Sequence, residues 1–266
     1  MHMRFPLFSR WLLTAGVILS LFVPGALQAA APERLHAPWN ELLARYVTRD
    51  GRIDYTGMLE EEDKLGAYLE TIRKTPPDER TWSRSEQQAY WLNVYNAATV
   101  YMVLQYYPVR SMNEIKVKSL KGSKSAWEAP SVTVGSKEYS LNQIEREVLR
   151  NKFQDPRVHF ALGSAAETSP PLLNEAYDGT RLNQQLDGQV RRFVNNAKFN
   201  QLAAGHLRLS SLFDWYSVEF GEGPQLVAWL NTYSTVVIAP TATVEFLSFD
   251  WTLNDRARQA ENQALR

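Results

Sequence analysis

The stretch Ala89–Leu104, AYWLNVYNAATVYMVL, is apolar around its whole circumference when wound as a helix. A helix without a solvent face must be covered on every side, so this stretch predicts a rod through the middle of a domain. Ser83 or Ser85 can cap its start. Pro108 disfavours helical geometry in the residue before it and stops the rod near Tyr106. Asn93 and Asn96, three apart, share one face of this helix, and Trp91 on the same helix is a further candidate for ligand contact. A buried amide is costly unless it is hydrogen-bonded, so both need partners. Either they clamp neighbouring backbone, or one of them holds a substrate carbonyl or orients His159.

The remaining pattern predicts an α+β domain over residues 30–255: the central buried helix packed against a small, mostly antiparallel sheet, in a layout of the papain or transglutaminase kind. Amphipathic helices are expected at Trp39–Tyr46, Glu60–Lys74, Leu141–Arg150, Leu182–Phe193 and Pro224–Asn231, with a short helix at Ser111–Val117. Ser140 caps the Leu141–Arg150 helix. A hairpin turns at Gly135-Ser136, and strands are expected at Val158–Leu162 (VHFAL), Leu207–Leu209 and Thr243–Phe249. Leu120–Ser125 reads as a basic, glycine-containing loop, and residues 256–266 as a polar tail.

Residues 1–29 have the layout of a secretory signal: Arg4 and Arg10, the apolar run Trp11–Val23, then Pro24-Gly25 and the small residues Ala26–Ala29. At about 1.5 Å per residue that run spans about 20 Å, short of the ~30 Å hydrocarbon core, so cleavage after Ala29 is expected over stable membrane insertion. The expected location is periplasmic or secreted. The chain has no cysteine, which excludes disulfides, thiolate metal sites and a cysteine nucleophile. Lys+Arg and Asp+Glu both number 29, so no basic excess supports a nucleic-acid partner. No zinc, calcium, phosphate-loop or dinucleotide motif occurs, and neither a metal nor a cofactor is expected.

Several strings in order resemble the family described as domain of unknown function 547 (DUF547): Ala89–Asn96 (with W-x-N-x-Y-N), Ser140–Arg150, Asp155–Leu162 (DPRVHFAL), Ser169–Leu172 (SPPL), Leu209–Tyr216 (LSSLFDWY) and Phe249–Asn254 (FDWTLN). Together they span roughly residues 36–255. The resemblance implies little about activity. Typical members carry two cysteines after the HFAL-like string, where this chain has Ser164 and Ser169, and a serine hydroxyl needs far stronger activation than a thiol to act as nucleophile.

His159 reads either as a satisfied structural residue or as an acid or base, for which Glu145 is the best orienting carboxylate, with Asp214 and Asp250 behind it. Ser164 on the following loop is either a candidate nucleophile or part of a turn packed by Pro170 and Pro171. His36 and His206 read as surface residues. Asp214-Trp215-Tyr216 and Phe249-Asp250-Trp251 set acids beside aromatics, which suits either a sugar or peptide groove or a core edge. Two functions remain open. One is a non-catalytic or degenerate-enzyme envelope module binding a peptide, glycan or protein partner through Trp215, Asp214, Trp91, Asn93 and Asn96. The other is an amide- or peptide-directed hydrolase or transferase using His159, Asn93, Asn96, Glu145 and a nucleophile other than cysteine.

Overall fold

The central helix runs from Arg84 to Tyr106 and opens with a capping box, in which Ser83 Oγ accepts from Glu86 N and Glu86 Oε2 accepts from Ser83 N. In this computed structural model, which describes residues 32–120 and 122–258, every residue from Gln87 to Val100 is buried. The expected export signal at 1–29 lies outside the described residues. Helices Ala37–Tyr46 and Glu62–Lys74 cover one side of the rod, with Trp39 stacked on Tyr68 at 6.3 Å.

The strands form three small sheets among the described residues. Strands β1 (Lys116–Ser119) and β2 (Gly122–Ser125) make one antiparallel hairpin, and β3 (Pro130–Val134) and β4 (Lys137–Ser140) make another. Val132 and Val134 of β3 point into the cluster around the central helix. The third sheet has β5 (Gln201–Leu202) antiparallel to β6 (His206–Ser210), which pairs in parallel with β7 (Thr243–Leu247). The architecture is α+β, as the sequence predicts, with two antiparallel hairpins and a three-stranded mixed sheet in place of one small sheet.

Two expectations fail in the segment before the Gly135 hairpin. Ser111–Val117 is one 3-10 turn, Met112–Glu114, followed by β1, and the basic loop Leu120–Ser125 closes that strand into a hairpin. Lysine and serine carry little strand signal, so the pairing of two exposed segments is not visible in the pattern.

A larger correction concerns Val158–Leu162, which is not a strand. Asp155 caps a 3-10 helix, Pro156–Phe160, with its Oδ1 accepting from Arg157 N at 3.0 Å and proline in the first turn. Three residues per turn send successive side chains in three directions. Val158 enters the core cluster around the central helix, and Phe160 enters a second cluster with Phe193, Phe213 and Leu209. The strand-borne histidine of a papain-like layout is therefore absent.

From Ala161 to Arg181 the chain has no helix or strand, yet much of it is buried. Buried peptide groups need partners, and here side-chain amides supply them. Asn96 Nδ2 donates to Ala161 O and Asn96 Oδ1 accepts from Gly163 N, both at 2.9 Å. Asn93 does the same for one residue, donating to Tyr177 O at 2.8 Å and accepting from Tyr177 N at 2.9 Å. Gln189 Nε2 donates to Pro171 O at 2.7 Å, and Gln185 Nε2 donates to Ala176 O at 3.0 Å. The chain end returns across this segment, with Leu253 bridged to Ala166 and Asn254 Oδ1 accepting from Tyr55 OH at 3.0 Å.

His36 also departs from expectation, because it is buried rather than exposed. Its Nδ1 lies 2.7 Å from Tyr68 OH, and burial lowers its pKa from 6.5 to about 3. His206 is exposed and bonds Thr243 Oγ1 through Nδ1 at 2.8 Å.

Two measurements check this account. Asn96→Ala leaves the amide of Gly163 and the carbonyl of Ala161 unpaired in the core, so urea denaturation should show a loss of about 2–4 kcal/mol. The neutral His36 of the folded state has a pKa below its unfolded value, so its contribution is fully present above pH 6.5 and is lost as pH falls from 6.5 towards 3. Wild type should therefore lose about 2 kcal/mol more than His36→Gln between pH 6.5 and pH 5.

Candidate functional site

A cleft of about 580 Å³ opens between the β2 end, the helix after β4, the 3-10 turn and the segment after β7. That volume lies in the range of small-molecule and peptide sites. One wall is aromatic. Trp215 stacks on Trp251 at 5.8 Å, Phe249 contacts both, and Trp127 meets Trp251 edge-on at 5.6 Å. Trp215 is 48% exposed, a large apolar ring left open to solvent at the cleft.

The facing wall is polar and comes largely from one irregular helix. Leu141–Gln143 and Asn151–Phe153 are α-helical, and Ile144–Arg150 between them is π-helical. Such wide turns are unusual and occur often at functional sites. Asn142, Glu145, Arg146 and Arg150 of this helix line the cleft. Ser140 caps the helix, as its sequence predicts, and Gln143 returns the bond to complete a second capping box.

His159 lies against this wall, its ring stacked on Tyr216 with centroids 3.6 Å apart. Its orienting carboxylate is Glu219, whose Oε2 lies 2.8 Å from His159 Nε2, and not Glu145. Arg150 donates from Nε to Glu219 Oε1 at 2.6 Å and lies over the Tyr216 ring at 5.0 Å. Burial pushes the Glu219 carboxyl up, but the hydrogen bonds of His159 and Arg150 and the Arg150 guanidinium charge outweigh it and hold the pKa below the usual range. Glu145 instead accepts from Tyr216 OH at 2.7 Å. Burial, then the neighbouring Glu145 carboxylate, raise the Tyr216 phenol well above its ordinary value.

Of the residues singled out from sequence, His159, Glu145, Ser164 and Trp215 converge on the cleft. Asn93 and Asn96 do not. They are spent on the backbone pairs described above, so the clamping reading holds and substrate binding by them is corrected. Asn96 acts one step back, fixing the Gly163 amide next to Ser164. Trp91 is a core residue, edge-on to Tyr139 at 5.0 Å. Asp214 is exposed and stands outside the cleft lining, while Asp250 Oδ1 accepts from Thr252 N at 2.9 Å. The aromatic halves of both acid–aromatic strings thus face the cleft, and the acids do not.

Ser164 and Ser169 come together across a turn in which Ala165 has φ +56° and Ser164 N donates to Ser169 Oγ at 2.9 Å. Ser164 Oγ and His159 are not hydrogen-bonded to each other. Among the described residues no group of three or more His, Asp or Glu is placed to hold a metal ion, and no helix is long and apolar enough to cross a membrane.

Glu219, Arg150 and Trp127 carry no signal in the sequence, and Tyr216 is marked there only as part of an acid–aromatic string, not as the partner of His159 and Glu145. His159 and Glu219 lie 60 positions apart, and no periodicity links the two elements that carry them. The nearest signal was the string LSSLFDWY, which ends on Tyr216 and immediately precedes the Ser217–Phe220 helix.

The Glu219 network has a pH signature. A depressed carboxylate contributes stability above its unfolded pKa of about 4.3 and loses it as pH falls through the folded value. Glu219→Gln should cost about 1–3 kcal/mol at pH 7 in urea unfolding, and the gap from wild type should narrow by pH 3. A constant gap across that range would contradict the assignment.

No curated protein and no solved structure matches the chain. The family model described as protein of unknown function, DUF547, matches residues 79–194, a span holding the central helix, the irregular helix, His159, Ser164 and the clamped loop, while Trp215, Tyr216, Glu219, Phe249 and Trp251 lie beyond it. Over residues 79–194, then, the chain carries the DUF547 resemblance that its sequence strings announce.

Proposed function

We propose that this chain is an exported envelope module that binds a peptide or glycan ligand in the aromatic-walled cleft without turning it over. One observation carries the reading: Trp127, Trp215, Phe249 and Trp251 touch one another along a single wall, and Trp215 is left half open to solvent. Exposed rings of this kind stack on sugar faces or pack on apolar side chains, and the polar wall of Glu145, Arg146 and Asn142 supplies orienting hydrogen bonds. The groups with catalytic potential are already engaged, His159 by Glu219 and Glu145 by Tyr216. The export part of the reading rests on the signal-like layout of residues 1–29.

A second reading draws on the His159–Glu219 pair. A carboxylate on one ring nitrogen fixes the tautomer and orientation of an imidazole, which is the arrangement of a general base. With Ser164 on the same cleft, the alternative is an amide- or peptide-directed hydrolase or transferase. Turnover of peptides, amides or esters that disappears in His159→Ala would favour it. Turnover unchanged by that substitution, or none at all, favours binding.

Titration of the purified protein with cell-wall peptides and glycan fragments, followed by tryptophan fluorescence, should give saturable binding. Trp215→Ala should weaken that binding at least tenfold while leaving the melting temperature within a few degrees. Absence of binding to every fragment would sink the proposal.

A further inference from the structure

The β1–β2 hairpin meets the cleft only at its last residue, Ser125, and carries chemistry of its own. Residues 116–124 read KVKSLKGSK, with lysines at 116, 118, 121 and 124 and no acid. The zero net charge of the whole chain conceals this local concentration. Val117 packs against the core and anchors the hairpin, while Lys116, Lys118 and Lys124 are exposed. These three lysines form no ion pair among the described residues, whereas Lys137 on β4 has Glu147 at 3.8 Å. Leu120, at the end of the hairpin, is exposed over its entire surface, at 107%.

Lysines alone would serve to keep an open-edged hairpin from pairing with another strand. An apolar residue at the apex of a hairpin with exposed lysines on both strands has a different fit: the apolar group enters a headgroup layer and the cations meet lipid phosphates. We propose that this hairpin docks the protein on an anionic phospholipid surface, with Leu120 inserted and the lysines against the phosphates. A dissolved polyanion would satisfy the lysines but offers Leu120 no apolar layer, so the lipid surface is the better match. Few charges and one short apolar side chain make the docking reversible. The proposal is independent of the cleft reading, because neither the lysines nor Leu120 line the cleft.

Co-sedimentation of the purified protein with vesicles tests it. Binding is expected to phosphatidylglycerol-containing vesicles at low salt, with little to pure phosphatidylcholine and release near 1 M salt. Each lysine neutralised should lower partitioning about fivefold, so Lys116→Gln, Lys118→Gln and Lys124→Gln combined should lower it about a hundredfold. Leu120→Ser should lower it about tenfold. All of these positions are exposed, so an unchanged melting temperature excludes misfolding as the cause. The proposal is overturned by absence of binding to anionic vesicles, by wild-type binding in the triple variant, or by full binding in Leu120→Ser. Retention on a soluble anionic polymer with none on vesicles overturns it as well.

Discussion

Two asparagine amides on the central helix hold the rest of this structure in place. Each closes a two-way hydrogen-bonded pair with backbone, Asn96 between Ala161 and Gly163 and Asn93 with both groups of Tyr177. The segment they grip has neither helix nor strand and is largely buried, a combination that leaves peptide groups costly unless side chains satisfy them. Gln185 and Gln189 on the Leu182–Val194 helix complete the set from the other side. The central helix thus acts as a template, and its two amides set where the loop bearing Ser164 runs.

The cleft follows from that template and from the 3-10 turn before it. The turn distributes Val158 and Phe160 to two separate apolar clusters, leaving His159 between them. Its ring is then fixed from three sides, by the Tyr216 face, by the Phe220 edge at 5.7 Å and by Glu219. The π-helical turn contributes the remaining polar groups, because widening the helix brings Glu145 to Tyr216 and Arg150 to Glu219. Each of these contacts reaches across from one core cluster to the other.

Local rules made the central helix legible. An apolar run with a capping serine at one end and proline beyond the other reads as a buried helix, and burial demands partners for Asn93 and Asn96 without saying whether those partners are backbone or ligand. The Gly135 hairpin and the Ser140 cap were equally readable. VHFAL misled because an apolar run of that length suits a buried strand as well as a short helix, and the Asp155-Pro156 start signal before it was the deciding feature. His159, Glu145, Ser164 and Trp215 were identified as candidates from residue type and position. Glu219 as the partner of His159 was not, since that pairing depends on how the two clusters pack and leaves no mark in local sequence. His36 was misjudged for a related reason: its burial comes from Tyr68 and Tyr90 on two other helices.

Native-state hydrogen exchange at the backbone amides of Gly163 and Tyr177 tests the template most directly. These protons belong to a segment without regular structure, where rapid exchange through small local openings is the ordinary behaviour. Because both amides donate to buried asparagines of the central helix, their opening free energies should match those of the Val94–Ala98 amides and of global unfolding. Exchange at either site through fluctuations several kcal/mol below global unfolding would contradict the account.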